Sequence, residues 1–251
     1  MRGLYIAEAA MLVQQAQLQT ISNNLANLRT TGFKSSQNLD TSFAEWLIYE
    51  LRPAHEAGSA NLLRPLGTAA HSVATQDTST FMGQGPLEVT ERPLDFAIVG
   101  NGFFQVQGEE GVLYTRSGRF MIDSEGYLVT IEGYQVLGEG GPINLGTDDI
   151  SSNRDGVIFA DGQEVGRLAI AILGPEAEIE RHGYNYFTIE GAGGEGEYEV
   201  IGGFLEGSNV DLSREMANVM IVRRSYEAAQ KIMITYDQLL DKAANELGSP
   251  V

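Results

Sequence analysis

A seven-residue apolar repeat at each end of the chain sets the strongest limit on how it folds. Near the N-terminus Leu4, Met11, Leu18 and Leu25 recur every seven residues, and Ala7, Gln14, Ile21 and Leu28 stand three places on from each. Near the C-terminus Leu212, Val219, Tyr226, Met233, Leu240 and Leu247 share one heptad position, with Val222, Ala229, Tyr236 and Ala243 at its partner. A 3.5-residue period lays a narrow apolar seam along a helix, and such a seam seeks another helix rather than a sheet. The first helix is expected to stop at Thr30-Thr31-Gly32, where Gly32 suits the left-handed C′ position. The second is expected to start at a cap on Asp211 or Ser213. The seam residues Leu4, Met11, Leu18, Leu25, Val219, Tyr226, Met233 and Leu240 are the expected packing set. They would join the two ends to each other or to the same ends of neighbouring molecules.

The region between the seams differs in kind. Of the 30 glycines in the 251 residues, 27 fall between positions 35 and 209. That region also carries a net charge of -19 out of the chain's -18, so the ends are close to neutral. A surface this acidic repels phosphate backbones and excludes nucleic acid as a partner. The chain has no cysteine, which removes disulfides, thiolate metal sites and a cysteine nucleophile. No cleavable leader and no apolar run of bilayer length is visible, so the chain is expected in the cytoplasm or exported by a route needing no cleaved signal.

From Leu87 onward short apolar runs alternate with glycine-containing turns such as Asp123-Ser124-Glu125-Gly126, Asp155-Gly156 and Asp161-Gly162. With no helical period between them, the runs predict an antiparallel sheet of about ten strands. The expected fold is therefore mixed α and β: two heptad helices forming a coiled-coil-like domain, with a central antiparallel β-rich domain. The expected divisions are an N-terminal helix over 1–34, an extended connector over 35–82 with Trp46 as a packing anchor, a β-rich outer domain over 83–205, and a C-terminal helix over 206–251.

Chemistry is sparse. Gly100-Asn101-Gly102 lacks the third glycine and the following helix of a dinucleotide loop. His55, His71 and His182 are scattered without ligand spacing, and no Gly-x-Ser-x-Gly elbow is present. No catalytic residue, cofactor or metal is expected.

Three blocks carry a resemblance. Ile21-Ser22-Asn23-Asn24-Leu25-Ala26-Asn27, continuing to Thr31-Gly32-Phe33-Lys34, resembles the signature of bacterial flagellar basal-body rod and hook proteins. Pro93 to Ile98, Gly102-Phe103-Phe104 and Tyr114 to Phe120 resemble the family's central region. Leu205-Glu206-Gly207-Ser208-Asn209-Val210-Asp211-Leu212, running on to Arg223-Arg224, resembles its C-terminal motif. The resemblance implies a rod subunit, proximal or distal, that polymerises through its terminal helices into a hollow torque-transmitting shaft. It implies other rod and hook subunits and the flagellar type III export apparatus as partners, and a place in the basal body within the cell envelope. The matching positions Asn23, Asn24, Asn27, Gly32, Phe33, Glu206, Ser208, Asn209, Val210, Arg223 and Arg224 form the expected signature set. The three asparagines lie off the seam, where an amide can bond a neighbour in a crowded assembly or cap its own helix. Arg223 and Arg224 stand beside the seam, for acids on a neighbour or for solvent. The alternative is a β-rich binding module for a glycan, oligomerised by its helices, which would call for an aromatic groove on the centre.

Overall fold

The computed structural model describes residues 2–42, 46–51, 63–69, 73–109, 111–146, 150–183, 185–194 and 196–247. The chain divides into two units. One contains residues 1–24, 36–80 and 212–251, and the other residues 25–35 and 81–211.

The first unit contains most of helix α1 (Arg2–Ala26), strands β1 (Ser36–Ser42), β2 (Trp46–Leu51), β3 (Leu63–Ala69) and β4 (Val73–Thr80), and helix α2 (Leu212–Leu247). The stretch expected as an extended connector pairs with itself. β1 lies antiparallel to β4, with Ser36 opposite Thr80, and β2 lies antiparallel to β3, with Trp46 opposite Ala69. The expected anchoring by the Trp46 side chain falls outside what is described.

Both helices cover part of their heptad seams, though Leu212 and Tyr236 on α2 are exposed. On α1, Ala7 and Ile21 are buried, and Leu4, Met11, Leu18 and Leu25 are half-buried. On α2, Val222 and Ala229 are buried, while Val219, Tyr226 and Met233 are half-buried. Cover then ends: Leu240 is 53% exposed. The surprise lies elsewhere on the helices. Tyr5, Ile6 and Leu12 on α1 and Met220, Ile221 and Ile234 on α2 are each at least half exposed. These six lie outside the a/d seam, among charged residues such as Arg224 and Glu227, so each helix carries exposed apolar side chains besides its seam.

The second unit is a β body. Its strands are β5 (Leu87–Val89), β6 (Phe96–Gly100), β7 (Gly102–Gln107), β8 (Val112–Thr115), β9 (Phe120–Ile122), β10 (Leu128–Thr130), β11 (Gln135–Gly138) and β12 (Gly141–Pro142). They continue with β13 (Ile150–Ser152), β14 (Val157–Ala160), β15 (Gln163–Arg167), β16 (Ile170–His182), β17 (Tyr186–Ala192), β18 (Tyr198–Gly202) and β19 (Phe204–Glu206). Every described pairing is antiparallel, as the hairpin spacing predicts.

β7 is the hub. It pairs with β8, β11 and β16, and β16 pairs in turn with β17, which pairs with β8. The four strands β7, β8, β17 and β16 thus close a ring. Because side chains alternate along a strand, Phe103 and Phe104 point to opposite faces, and both are fully buried. Phe104 joins the large core with Phe96, Val106, Phe120 and Leu128, while Phe103 joins a small one with Phe187 and Ile189.

Three hairpins share one five-residue loop: Asp123 to Tyr127, Thr130 to Tyr134 and Asn153 to Val157. In each, the first residue's N–H donates to the fifth carbonyl, at 2.9, 2.9 and 3.0 Å. The first side-chain oxygen accepts from the fifth N–H, at 2.8, 3.3 and 2.9 Å. The fourth residue is a glycine at positive φ in all three, as a left-handed turn position requires.

Candidate functional site

The residues of the three sequence blocks meet inside the β body. Gly32 does not cap α1, which ends six residues earlier at Ala26; it takes φ +70° in the turn that follows, and its N–H donates to the carbonyl of Glu206 at 2.7 Å. A Cβ at Gly32 would sit 2.3 Å from the Ser117 nitrogen, so this turn lies flat against the Arg116–Ser117 peptide. That turn brings Lys34 to the carboxylate of Glu206. Lys34 Nζ donates to Glu206 Oε1 at 2.6 Å and to the Gly83 carbonyl at 2.9 Å. Arg116 NH1 reaches Glu206 Oε2 at 3.2 Å, and the Gly85 N–H donates to Oε1 at 2.8 Å.

The side chains of Lys34, Arg116 and Glu206 are at most 2% exposed. Two cations therefore share one anion away from water. Arginine suits its place because a planar guanidinium serves several partners at once. It also donates to the carbonyls of Ile98 and Gly100 and lies 4.8 Å over the Phe103 ring. Burial pushes the Lys34 ammonium below 10.5, and the charge and hydrogen bond of Glu206 act against that shift. Arg116 is lowered from the same cause with the same opposition.

Asn209 locks the neighbouring backbone. Its Oδ1 accepts from the Ser35 N–H at 2.7 Å, and its Nδ2 donates to the carbonyls of Phe81 and Gly83 at 2.8 and 2.9 Å. Phe33 is buried beneath the Arg181 guanidinium, which lies 4.9 Å from its ring and donates to the Lys34 carbonyl. Ser208 and Val210 are buried beside them. The signature positions Gly32, Phe33, Glu206, Ser208, Asn209 and Val210 are thus drawn into one junction.

The remaining signature residues lie elsewhere. Asn24, on α1, is 1% exposed. It grips Ser36 with both ends of its amide, each at 2.9 Å, and donates to Glu215 of α2 at 2.9 Å. Those bonds are made within the chain, not with a neighbour. Asn27 accepts from the Thr30 hydroxyl at 3.1 Å. Arg223 pairs with Glu227 one turn on at 3.2 Å, in solvent, and Arg224 is exposed.

Reading the sequence missed Lys34 and Arg116 as site residues. The available signal was a single charge set among small and apolar neighbours in each block: Gly-Phe-Lys-Ser, Thr-Arg-Ser-Gly and Leu-Glu-Gly-Ser. Two grooves lie on the described part of the β body, one of about 310 Å³ lined by Glu109, Leu113, Tyr134, His182 and Thr188. A second, of about 370 Å³, is lined by Pro93, Ile150, Ser152, Asn153, Arg154 and Glu199, without an aromatic side chain.

A buried ionic junction that ties together residues distant in the sequence is the work of a structural protein, one that holds shape rather than turning over a substrate. The comparisons with known proteins agree. Residues 4–34 match the family described as "Flagella basal body rod protein". Residues 97–160 match "Flagellar hook protein FlgE/F/G D1 domain", and residues 201–247 match "Flagellar basal body rod FlgEFG protein C-terminal". The chain is 33% identical to the flagellar basal-body rod protein FlgG of Agrobacterium fabrum, over 98% of this chain and 100% of that one. It is 31% identical to the FlgG of Bacillus subtilis, over 98% of each. It is 29% identical to the flagellar hook-basal body complex protein FlhO of the same organism, over 99% of each. The chain belongs to the family of bacterial flagellar basal-body rod proteins. It is a structural subunit of the rod rather than an enzyme.

Proposed function

We propose that the chain builds the rod by covering the exposed apolar side chains of α1 and α2 with copies of itself and with neighbouring rod and hook subunits. The exposure of Tyr5, Ile6, Leu12, Met220, Ile221 and Ile234 carries this reading. Six large apolar side chains on helix faces form a surface that water disfavours and an assembly hides. The seam residues Leu4, Met11, Leu18, Leu25, Val219, Tyr226, Met233 and Leu240 set helix register in a coiled-coil-like axial core formed by α1 and α2. The β body forms the outer layer of the rod. Its net acidity opposes indiscriminate contact between outer layers and leaves the choice of partner to the helices. The subunit leaves the cell through the flagellar type III export apparatus without a cleaved signal and assembles in the periplasmic part of the basal body. No described helix is long and apolar enough to cross a membrane, which fits a chain that inserts in none.

The test is Ile221→Asp. Ile221 is 62% exposed, so monomer stability should change by no more than about 0.5 kcal/mol. Electron microscopy across a concentration series should then find helical tubes with the parent protein and none with the variant. Tubes formed equally well by the variant would contradict the proposed face.

A further inference from the structure

The pairing pattern of the β body singles out its last strands. β18 pairs with β6 and β19 with β5, so the described partners of both early strands arrive about a hundred residues later in the chain. The same closing segment supplies Glu206 to Lys34 and Arg116, the Glu206 carbonyl to Gly32, and the Asn209 amide to Ser35, Phe81 and Gly83. By contrast, the ring and the strands joined to it, β7 to β12, β16 and β17, draw their strand partners from residues 102–192, with one bridge from Asp95 to Arg119 and a bond from the Phe120 N–H to the Leu94 carbonyl at the edge of β9.

We infer that Glu206 is a closing latch: the β body folds in two steps, and the second waits for the segment around residues 198–210. Electrostatics sets the order. Lys34 and Arg116 are at most 2% exposed in the closed state, and without Glu206 the same closure would bury two cations with no anion. That state is strongly disfavoured, because buried like charges repel and each gives up its hydration. Until the carboxylate arrives, the turn at Gly32–Ser35 and the strands β5 and β6 stay open while the ring condenses. A chain emitted N-terminus first would therefore hold its N-terminal segment free of the β body until most of its length was out. This inference concerns the dilute monomer and does not rest on the assembly proposed above.

Pulsed hydrogen exchange during refolding of the full-length chain tests it. Amides of β7, β8, β10, β11, β16 and β17 should gain protection in an earlier phase. Those of residues 32–35, β5, β6, β18 and β19 should gain it together in a later one. In Glu206→Gln the earlier phase should be unchanged, and the later set should exchange roughly a hundredfold faster in the native state, or more. Single-phase protection of all strands in the parent protein would overturn the inference. So would a Glu206→Gln chain that closes at the parent rate with parent protection, or one that loses the ring's protection along with the rest.

Discussion

Removing one charge at a time from the junction should give two very different costs. Glu206 accepts from Lys34 Nζ, Arg116 NH1 and the Gly85 N–H. In Glu206→Gln the two cations remain, at most 2% exposed, with no anion between them. Breaking a buried pair from one side typically costs 3–5 kcal/mol, so about 4 kcal/mol is expected. Lys34→Met leaves a balanced Arg116–Glu206 pair. It orphans little, because the Gly83 carbonyl that Lys34 served still accepts from Asn209 Nδ2, and Glu206 Oε1 still accepts from Gly85. Relief from the Arg116 charge offsets part of the lost hydrogen bonding, and a net cost of about 1 kcal/mol is expected. The assay is urea denaturation of dilute protein, followed by circular dichroism and by tyrosine fluorescence. At roughly 2–4 °C per kcal/mol for a chain of this size, the two variants should also differ in melting temperature by about 6–12 °C. A Lys34→Met variant as unstable as Glu206→Gln would refute the shared-anion reasoning. It would mean that the ammonium contributes as much stability as the carboxylate it shares with Arg116.

Other outcomes follow from the same geometry. Gly32→Ala combines φ +70° with a Cβ 2.3 Å from the Ser117 nitrogen, so it should destabilise the β body by at least about 2 kcal/mol in the same denaturation assay. Asn24→Leu removes a buried amide that serves both Ser36 groups and Glu215, and a loss of about 2–3 kcal/mol is expected from thermal unfolding. The lowered Lys34 pKa means that the unfolded chain binds the proton more tightly than the folded one. Stability should therefore rise as pH climbs from the lowered value toward 10.5, and that rise should vanish in Lys34→Met. Tyr186 behaves oppositely. Burial and its bond to Glu132 push its hydroxyl far above 10.0, so stability should fall above that pH as the unfolded chain ionises, and should fall less in Tyr186→Phe.

The helices were legible because a seven-residue repeat survives any tertiary context, and the antiparallel centre because glycine turns punctuate it at hairpin spacing. The exposed apolar residues outside the seam were not. Tyr5 and Ile6 directly follow Leu4, and Leu12 directly follows Met11, so in the sequence they merge with the seam residues beside them. The pairing within residues 36–80 was hidden for another reason. Ser36-Gln37-Asn38 and Thr78-Ser79-Thr80 are polar on both faces, so no alternation marks them as strands, and ladder bonds rather than burial hold the register. At the junction, Gly32 and Asn209 stood out as family positions, but a lone charge among small neighbours does not name its partner. Lys34 and Glu206 are 172 residues apart, and only the fold makes them partners.

α2 spans 36 residues, roughly 54 Å at a helix's rise, and from Ile234 to Lys242 it is exposed. Under the assembly proposed, a copy arriving to cover that stretch brings an identical bare stretch of its own. A head-to-tail contact of this sort does not exhaust itself in pairs. The uncovered surface is handed to the newest copy each time, so the growing tip stays adhesive however long the structure becomes. These residues can drive elongation but cannot end it, and length must be set by whatever caps the tip.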